Sequence, residues 1–92
     1  MKFGNRINRI CQKALDYYSK GNCKQLSNDY QGAISDFTKA IKYKPNFAEA
    51  YYKRGNTKTL LNDNEGALSD YYKAFELNPK LAKTLTDKNL FN

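Results

Sequence analysis

The stretch Ala14–Phe47, ALDYYSKGNCKQLSNDYQGAISDFTKAIKYKPNF, runs without a gap into Ala48–Leu81, AEAYYKRGNTKTLLNDNEGALSDYYKAFELNPKL. Laid over each other at a shift of 34 residues, the two agree at sixteen positions. The first half of each unit shares Ala14/Ala48, Tyr17/Tyr51, Tyr18/Tyr52, Gly21/Gly55, Asn22/Asn56, Lys24/Lys58 and Leu26/Leu60. The second half shares Asn28/Asn62, Asp29/Asp63, Gly32/Gly66, Ala33/Ala67, Ser35/Ser69, Asp36/Asp70, Lys39/Lys73, Ala40/Ala74 and Pro45/Pro79. Self-similarity at a fixed period of this size marks an architecture in which one supersecondary unit stacks on the next.

Inside each unit the apolar period is helical. Tyr30, Ala33, Ile34, Phe37, Ala40 and Ile41 recur every three or four residues, and Ala67, Leu68, Tyr71, Ala74 and Phe75 repeat that stripe. Asn28-Asp29 and Asn62-Asp63 stand where the stripe breaks, which predicts a turn with the aspartate capping the second helix. Pro45 and Pro79 end the units, because proline cannot continue a helix interior. Asn46 with Glu49 three residues on predicts a capping box for the next helix. Gly21 and Gly55 fall in mid-helix, where glycine costs about 1 kcal/mol relative to alanine. A crossing of the partner helix would explain that cost, with Ala33 and Ala67 as the contact points. Tyr17 with Phe37, and Tyr51 with Tyr71, would then interlock around the crossing.

This pattern resembles the tetratricopeptide repeat, a 34-residue antiparallel helix pair. The residues that carry the resemblance are Tyr17, Gly21, Tyr30, Ala33, Phe37, Ala40 and Pro45, then Tyr51, Gly55, Ala67, Tyr71, Ala74 and Pro79. Tyrosine stands where the family often has tryptophan, and Asn64 replaces the aromatic matched by Tyr30. The resemblance implies an all-α chain: two tandem helix-turn-helix repeats plus a C-terminal capping helix, forming a short right-handed α-solenoid. The whole of 1–92 is read as one domain, with an N-terminal helical extension at 1–13, repeats at 14–47 and 48–81, and a solvating helix at 82–92. Ile7, Ile10, Cys11 and Ala14 at helical spacing start the first helix near Asn5. Leu81, Leu85 and Leu90 begin a third unit that stops after its first helix.

Composition bounds the rest. An apolar share of 40% with 27% charged residues suits a globular domain and argues against disorder. No uncharged stretch is long enough to span a bilayer, and the basic start at Met1-Lys2-Phe3 has no apolar segment behind it of the kind a secretory signal needs. Cys11 and Cys23 lie twelve residues apart on one expected helix, about 18 Å at 1.5 Å per residue, too far to bridge. Cys23, next to the packing glycines, is expected as a small buried side chain, whereas Cys11 has no evident role. These features place the chain in the cytoplasm. The net charge of +7 is uneven, since residues 1–24 carry six bases against Asp16 alone. A basic helix attracts polyanions or keeps a surface solvated. Nucleic acid is disfavoured as a partner, because the bases of the first helix lack aromatic interleaving beyond Phe3.

In stacked helix pairs the first helix of each unit lines the concave surface. Positions there that the scaffold does not consume are Tyr18, Asn22 and Gln25, then Tyr52, Lys53, Asn56 and Thr59, followed by Lys83. Glu49 and Thr86 lie on the same surface. Asn22 and Asn56 stand out: helix interiors disfavour asparagine, yet both units place one directly after the packing glycine. An asparagine amide offers two donors and an acceptor, enough to hold a peptide backbone. The plainer reading makes both merely solvated.

The resemblance implies a protein or peptide partner. A subclass of the family grips a C-terminal carboxylate with lysines, asparagines and an arginine. This chain keeps Asn22 and Lys83 from that set but has Tyr18, Lys53 and Asp87 at the other positions. That clamp is therefore disfavoured, while Lys53 and Lys83 still suit an acidic peptide. The helical ends offer a second route, self-association into a homo-oligomer.

No catalytic residues, metal ligands or cofactor site are expected. The chain has no histidine, two cysteines alone do not make a zinc site, and Gly32 and Gly66 are isolated rather than part of a phosphate loop.

Overall fold

The structure, a computed structural model, describes residues 2–83, and side chains from residue 9 onward. Four helices follow one another: α1 (Lys2–Leu26), α2 (Tyr30–Tyr43), α3 (Ala48–Leu60) and α4 (Asn64–Leu77). A further helical turn begins at Lys80. Leu85, Thr86, Asp87 and Leu90, assigned above to a closing helix, lie outside the described residues. α1 pairs with α2 and α3 with α4, while α2 also packs on α3 and α1 touches α3. The result is an all-α solenoid of two stacked hairpins, with α1 and α3 in one layer. α1 is helical from Lys2, ahead of the start expected at Asn5.

Both hairpin turns are built the same way. Asn28 and Asn62 take left-handed backbone, φ 67° and 65°, which asparagine tolerates better than other side chains. Asp29 and Asp63 follow, and the Oδ1 of each accepts a hydrogen bond at 3.0 Å from the backbone N–H of Gly32 or Gly66. Each of those glycines has a reason in the cap, since a Cβ there would collide with the capping carboxylate.

The entry to α3 differs from expectation. Phe47 holds the cap position with no side-chain hydrogen bond, so the Asn46–Glu49 capping box does not form. Burial fixes this entry instead: Phe47 is 5% exposed, with its ring 4.8 Å from that of Tyr18. The Lys44 ammonium lies over its face at 4.7 Å.

The core is small residues around a few rings. Ala14, Ala33, Ala40, Ala50 and Ala74 are fully buried beside Phe37. Gly21 admits the Phe37 ring, because a Cβ at that position would stand 2.6 Å from Cε1. At Gly55 the same test meets Tyr71 at 2.9 Å and the Ala67 carbonyl at 3.2 Å. Thus a ring on the second helix, more than the alanines, dictates these glycines. The rings that meet Phe37 and Tyr71 belong to Tyr18 and Tyr52, not Tyr17 and Tyr51 as the spacing suggested. Cys23 is exposed rather than buried. Its copy, Thr57, is fully buried, because α3 has a hairpin stacked before it and α1 has none among the described residues.

Candidate functional site on the α1–α3 layer

The two asparagines sit one turn after the tyrosines that wedge each hairpin open. Tyr18 is partly buried between Phe37 and Phe47. Its phenol titrates above the usual tyrosine range, chiefly because burial disfavours the phenolate. A hydrogen bond with Asn22 pulls the other way, and the charge of Glu49 adds to the rise. Asn22 is partly buried and linked to Tyr18 in this way.

The second unit uses its asparagine differently. Tyr52 packs against Tyr71 and Phe75, at 5.7 and 6.3 Å between centroids. The Tyr71 hydroxyl donates to Asn56 Oδ1 at 2.5 Å. The residue matching Tyr71 in the first unit is Phe37, which has no hydroxyl. The carbonyl oxygen of Asn56 is therefore held by the scaffold through a bond that Phe37 cannot make to Asn22. Thr59 is exposed, its Oγ1 donating to the Gly55 carbonyl at 3.1 Å and lying 3.4 Å from the Tyr71 hydroxyl.

Gln25 joins the two inner helices. Its Oε1 lies 3.0 Å from Thr57 Oγ1, a hydroxyl that also contacts the Lys53 carbonyl at 2.8 Å. Its work is thus partly structural, tying α1 to α3. Lys53 is partly buried, and Lys83 is exposed on the last described turn. Of the residues expected on this surface, the structure brings together Tyr18 with Asn22, and Asn56 and Thr59 around Tyr71. Tyr18 and Tyr52 contribute more to packing than the spacing indicated.

Beside this layer lies an ionic network that periodicity alone did not flag. Asp36 and Asp70 are 3% and 4% exposed. Asp70 receives Arg54 through two bonds, Nε to Oδ2 at 2.9 Å and Nη2 to Oδ1 at 2.7 Å. Lys58 joins it at 3.0 Å. Asp36 has one cation, Lys24, at 2.9 Å from Oδ2. That ammonium approaches outside hydrogen-bond alignment, so Oδ2 has no aligned donor. The close approach of the Asp36 carboxylate is still the main cause that holds the Lys24 ammonium above its usual range. Arg54 also reaches back to Thr38 at 3.1 Å, stitching the second hairpin to the first. A signal was present in the sequence: Lys24/Lys58 and Asp36/Asp70 are among the identical positions, at the same spacing in each unit. These cations are paired within the fold.

Among the described residues no helix is long and apolar enough to cross a membrane. Nor does any group of three histidine, cysteine, aspartate or glutamate side chains there form a possible metal site. Comparison with protein families gives two matches. A family model described as TPR repeat covers residues 26–59, and one described as Tetratricopeptide repeat covers residues 48–81. The second covers α3 and α4 in the register of the internal repeat, while the first takes in α2 and α3. No curated protein matches the chain. Repeats of this kind are in general non-catalytic modules for protein–protein interaction. Two stacked helix pairs with the repeat's packing glycines, joined to matches that together run from residue 26 to residue 81, settle the family: the chain belongs to the tetratricopeptide-repeat proteins.

Proposed function

We propose that the chain holds a segment of a partner protein, extended or helical, against the α1–α3 layer. The observation that supports this reading is the pair Asn22 and Asn56. They stand at the same register on the two inner helices, each partly buried beside a tyrosine. Amides so placed match the donor and acceptor pattern of a peptide backbone. Each such bond contributes only about 0.5–1.5 kcal/mol net, so a layer this short is suited to micromolar binding, about −8 kcal/mol. Lys53 and Thr59 share α3 with Asn56, and we assign them, with Lys83, to the same surface, where the two lysines favour an acidic segment. Two free thiols fit a reducing compartment, and we place the protein in the cytoplasm on that basis.

Capture of partners from native lysate by wild type and by Asn22→Ala/Asn56→Ala tests the reading. Neither change removes a core side chain, and circular dichroism checks the fold. A protein retained by wild type and lost from the double variant supports the site. Equal recovery from both rejects it.

A second reading is self-association through the α4 end, favoured by one specific observation. Leu68 and Tyr72 on α4 are 55% and 72% exposed. Their copies on α2 are Ile34, which is partly buried, and Thr38, which Arg54 engages. Head-to-tail stacking is disfavoured at the other end, where Asp16 stands in the register of the fully buried Ala50. The form that remains is a symmetric pair joined through α4. Light scattering at millimolar concentration decides it: a dimer that Tyr72→Glu dissociates supports this route, and a monomer removes it.

A further inference from the structure

The two hairpins treat the same charged positions differently. In the second, Arg54 is neutralised by Asp70, and Lys73 pairs with Glu76 at 3.2 Å. In the first, Lys20 stands in the register of Arg54 and Lys39 in that of Lys73, but the residue matching Glu76 is Lys42. Lys20 and Lys39 both converge on the Tyr17 ring, at 5.2 and 5.4 Å from its centroid. Tyr17 is stacked on Tyr43, centroids 5.8 Å apart and planes within 1°. Lys13 lies over the Tyr43 ring at 5.3 Å. Cation–π contacts of consequence occur roughly once per 70–80 residues, so three on one tyrosine pair is a concentration. The scaffold does not require it, because Leu77 replaces Tyr43 in the second hairpin, where the stacked pair is instead Tyr71 on Phe75 within α4.

Among the described residues no ion pair engages Lys13, Lys20 or Lys39. The ion pairs among the described residues use Lys24, Arg54, Lys58 and Lys73. Two of the three acids of the first hairpin are committed elsewhere, and the third, Asp16, is a single exposed carboxylate against three ammonium groups. Asp16 accepts from Gln12 at 2.9 Å, Asp29 caps α2, and Asp36 is buried against Lys24. Residues 1–44 hold nine bases against three acids, and the rest of the chain seven against six. The excess charge thus lies on the hairpin that carries the stack.

We propose that the Tyr17–Tyr43 stack and its rim of Lys13, Lys20 and Lys39 form a second docking surface, built across α1 and α2 and distinct from the groove proposed at Asn22 and Asn56, for an acidic segment of a partner protein. Charge complementarity argues for the occupant: three exposed ammonium groups, none in an ion pair among the described residues, beside two phenols able to donate to a carboxylate. Lys13 and Lys20 are seven residues apart on α1, about 10 Å, a span that three or four extended residues cover. Nucleic acid fits less well, because the tyrosine faces are taken up by each other and by lysine, leaving little ring for a base to stack on. Folding completes the surface, since Tyr43 and Lys39 of α2 join Tyr17, Lys13 and Lys20 of α1.

Fluorescence anisotropy with a labelled octaglutamate peptide tests this, with a single-stranded thymidine octamer of equal length as comparison. Three proteins are used: wild type, Lys13→Gln/Lys20→Gln/Lys39→Gln, and a charge-matched control, Lys42→Gln/Lys73→Gln/Lys80→Gln. The proposal expects salt-sensitive peptide binding, weakened about ten-fold in the first variant and little changed in the control. On wild type, NMR titration should shift the Tyr17 and Tyr43 ring resonances with added peptide, an outcome that needs no variant to fold. Equal loss in both variants, absence of peptide binding or unmoved tyrosine resonances would overturn it, as would tighter binding of the octamer. Shifts confined to the Tyr18 and Tyr52 ring resonances would place the peptide in the proposed groove instead and would likewise overturn the proposal.

Discussion

Replacing Phe37 by alanine would empty the space above Gly21 in the most tightly closed part of the first hairpin. Phe37 is fully buried, and losses of this kind cost about 3–5 kcal/mol, a large share of the stability of so small a domain. The reverse change, Gly21→Ala, drives a methyl into the same ring. It should destabilise by about 1–3 kcal/mol although alanine is the better helix former. Urea unfolding followed by circular dichroism measures both, and a Gly21→Ala protein as stable as wild type would contradict the close approach. The sequence marked Gly21 as special through its copy at Gly55. Spacing did not identify the ring opposite, because Tyr17 and Tyr18 are adjacent and a small error in helix phase exchanges them. The exposed Cys23 was misjudged for a related reason: burial at that register depends on a preceding hairpin, which local pattern does not encode.

At the scale of the element, the hairpin turns were the most legible part of the chain. Asn28-Asp29 and Asn62-Asp63 recur at the break in the apolar stripe, and each aspartate caps as its chemistry predicts. Asp29→Ala should cost about 1 kcal/mol, as loss of a side-chain cap typically does, and Asp63→Ala a similar amount. Additivity is expected in the double variant, since the two caps share no partner. The entry to α3 was misread because Asn46 and Glu49 satisfy the capping-box spacing while burial of Phe47 fixes the helix start one residue later. Sequence spacing does not register that competition. In the candidate site the register of Asn22 and Asn56 was legible from the repeat. The difference between them was not, because it rests on a single hydroxyl of Tyr71 contributed by another helix.

Across the whole molecule the buried aspartates link helices and set how stability responds to mutation. Asp70 faces Arg54 and Lys58, whose side chains are 17% and 21% exposed, whereas among the described residues Asp36 faces only Lys24, at 43%. Breaking a buried pair costs about 3–5 kcal/mol, and exposed pairs far less. Asp70→Asn should therefore destabilise more than Asp36→Asn, and equal midpoints in urea would count against the network. Lys24 and Tyr18 are both raised above ordinary values of 10.5 and 10.0. The native state thus holds their protons more tightly than the unfolded chain. Their contributions are fully present below those ordinary values and are lost as pH rises through the native ones. The unfolding midpoint should fall above about pH 10, and less steeply in Tyr18→Phe/Lys24→Gln. A wild-type slope no steeper than the variant's would remove this linkage.

Function at this scale rests on which layer of the solenoid meets the partner, and site-specific photo-crosslinking answers that most directly. A benzophenone amino acid placed at Thr59, exposed on α3, is compared with the same group at Ser69, exposed on α4. An adduct with a partner protein from position 59, and none from position 69, is the predicted result. An adduct from position 69 alone would put the partner on the opposite layer and contradict the assignment of Asn22 and Asn56 to the binding surface.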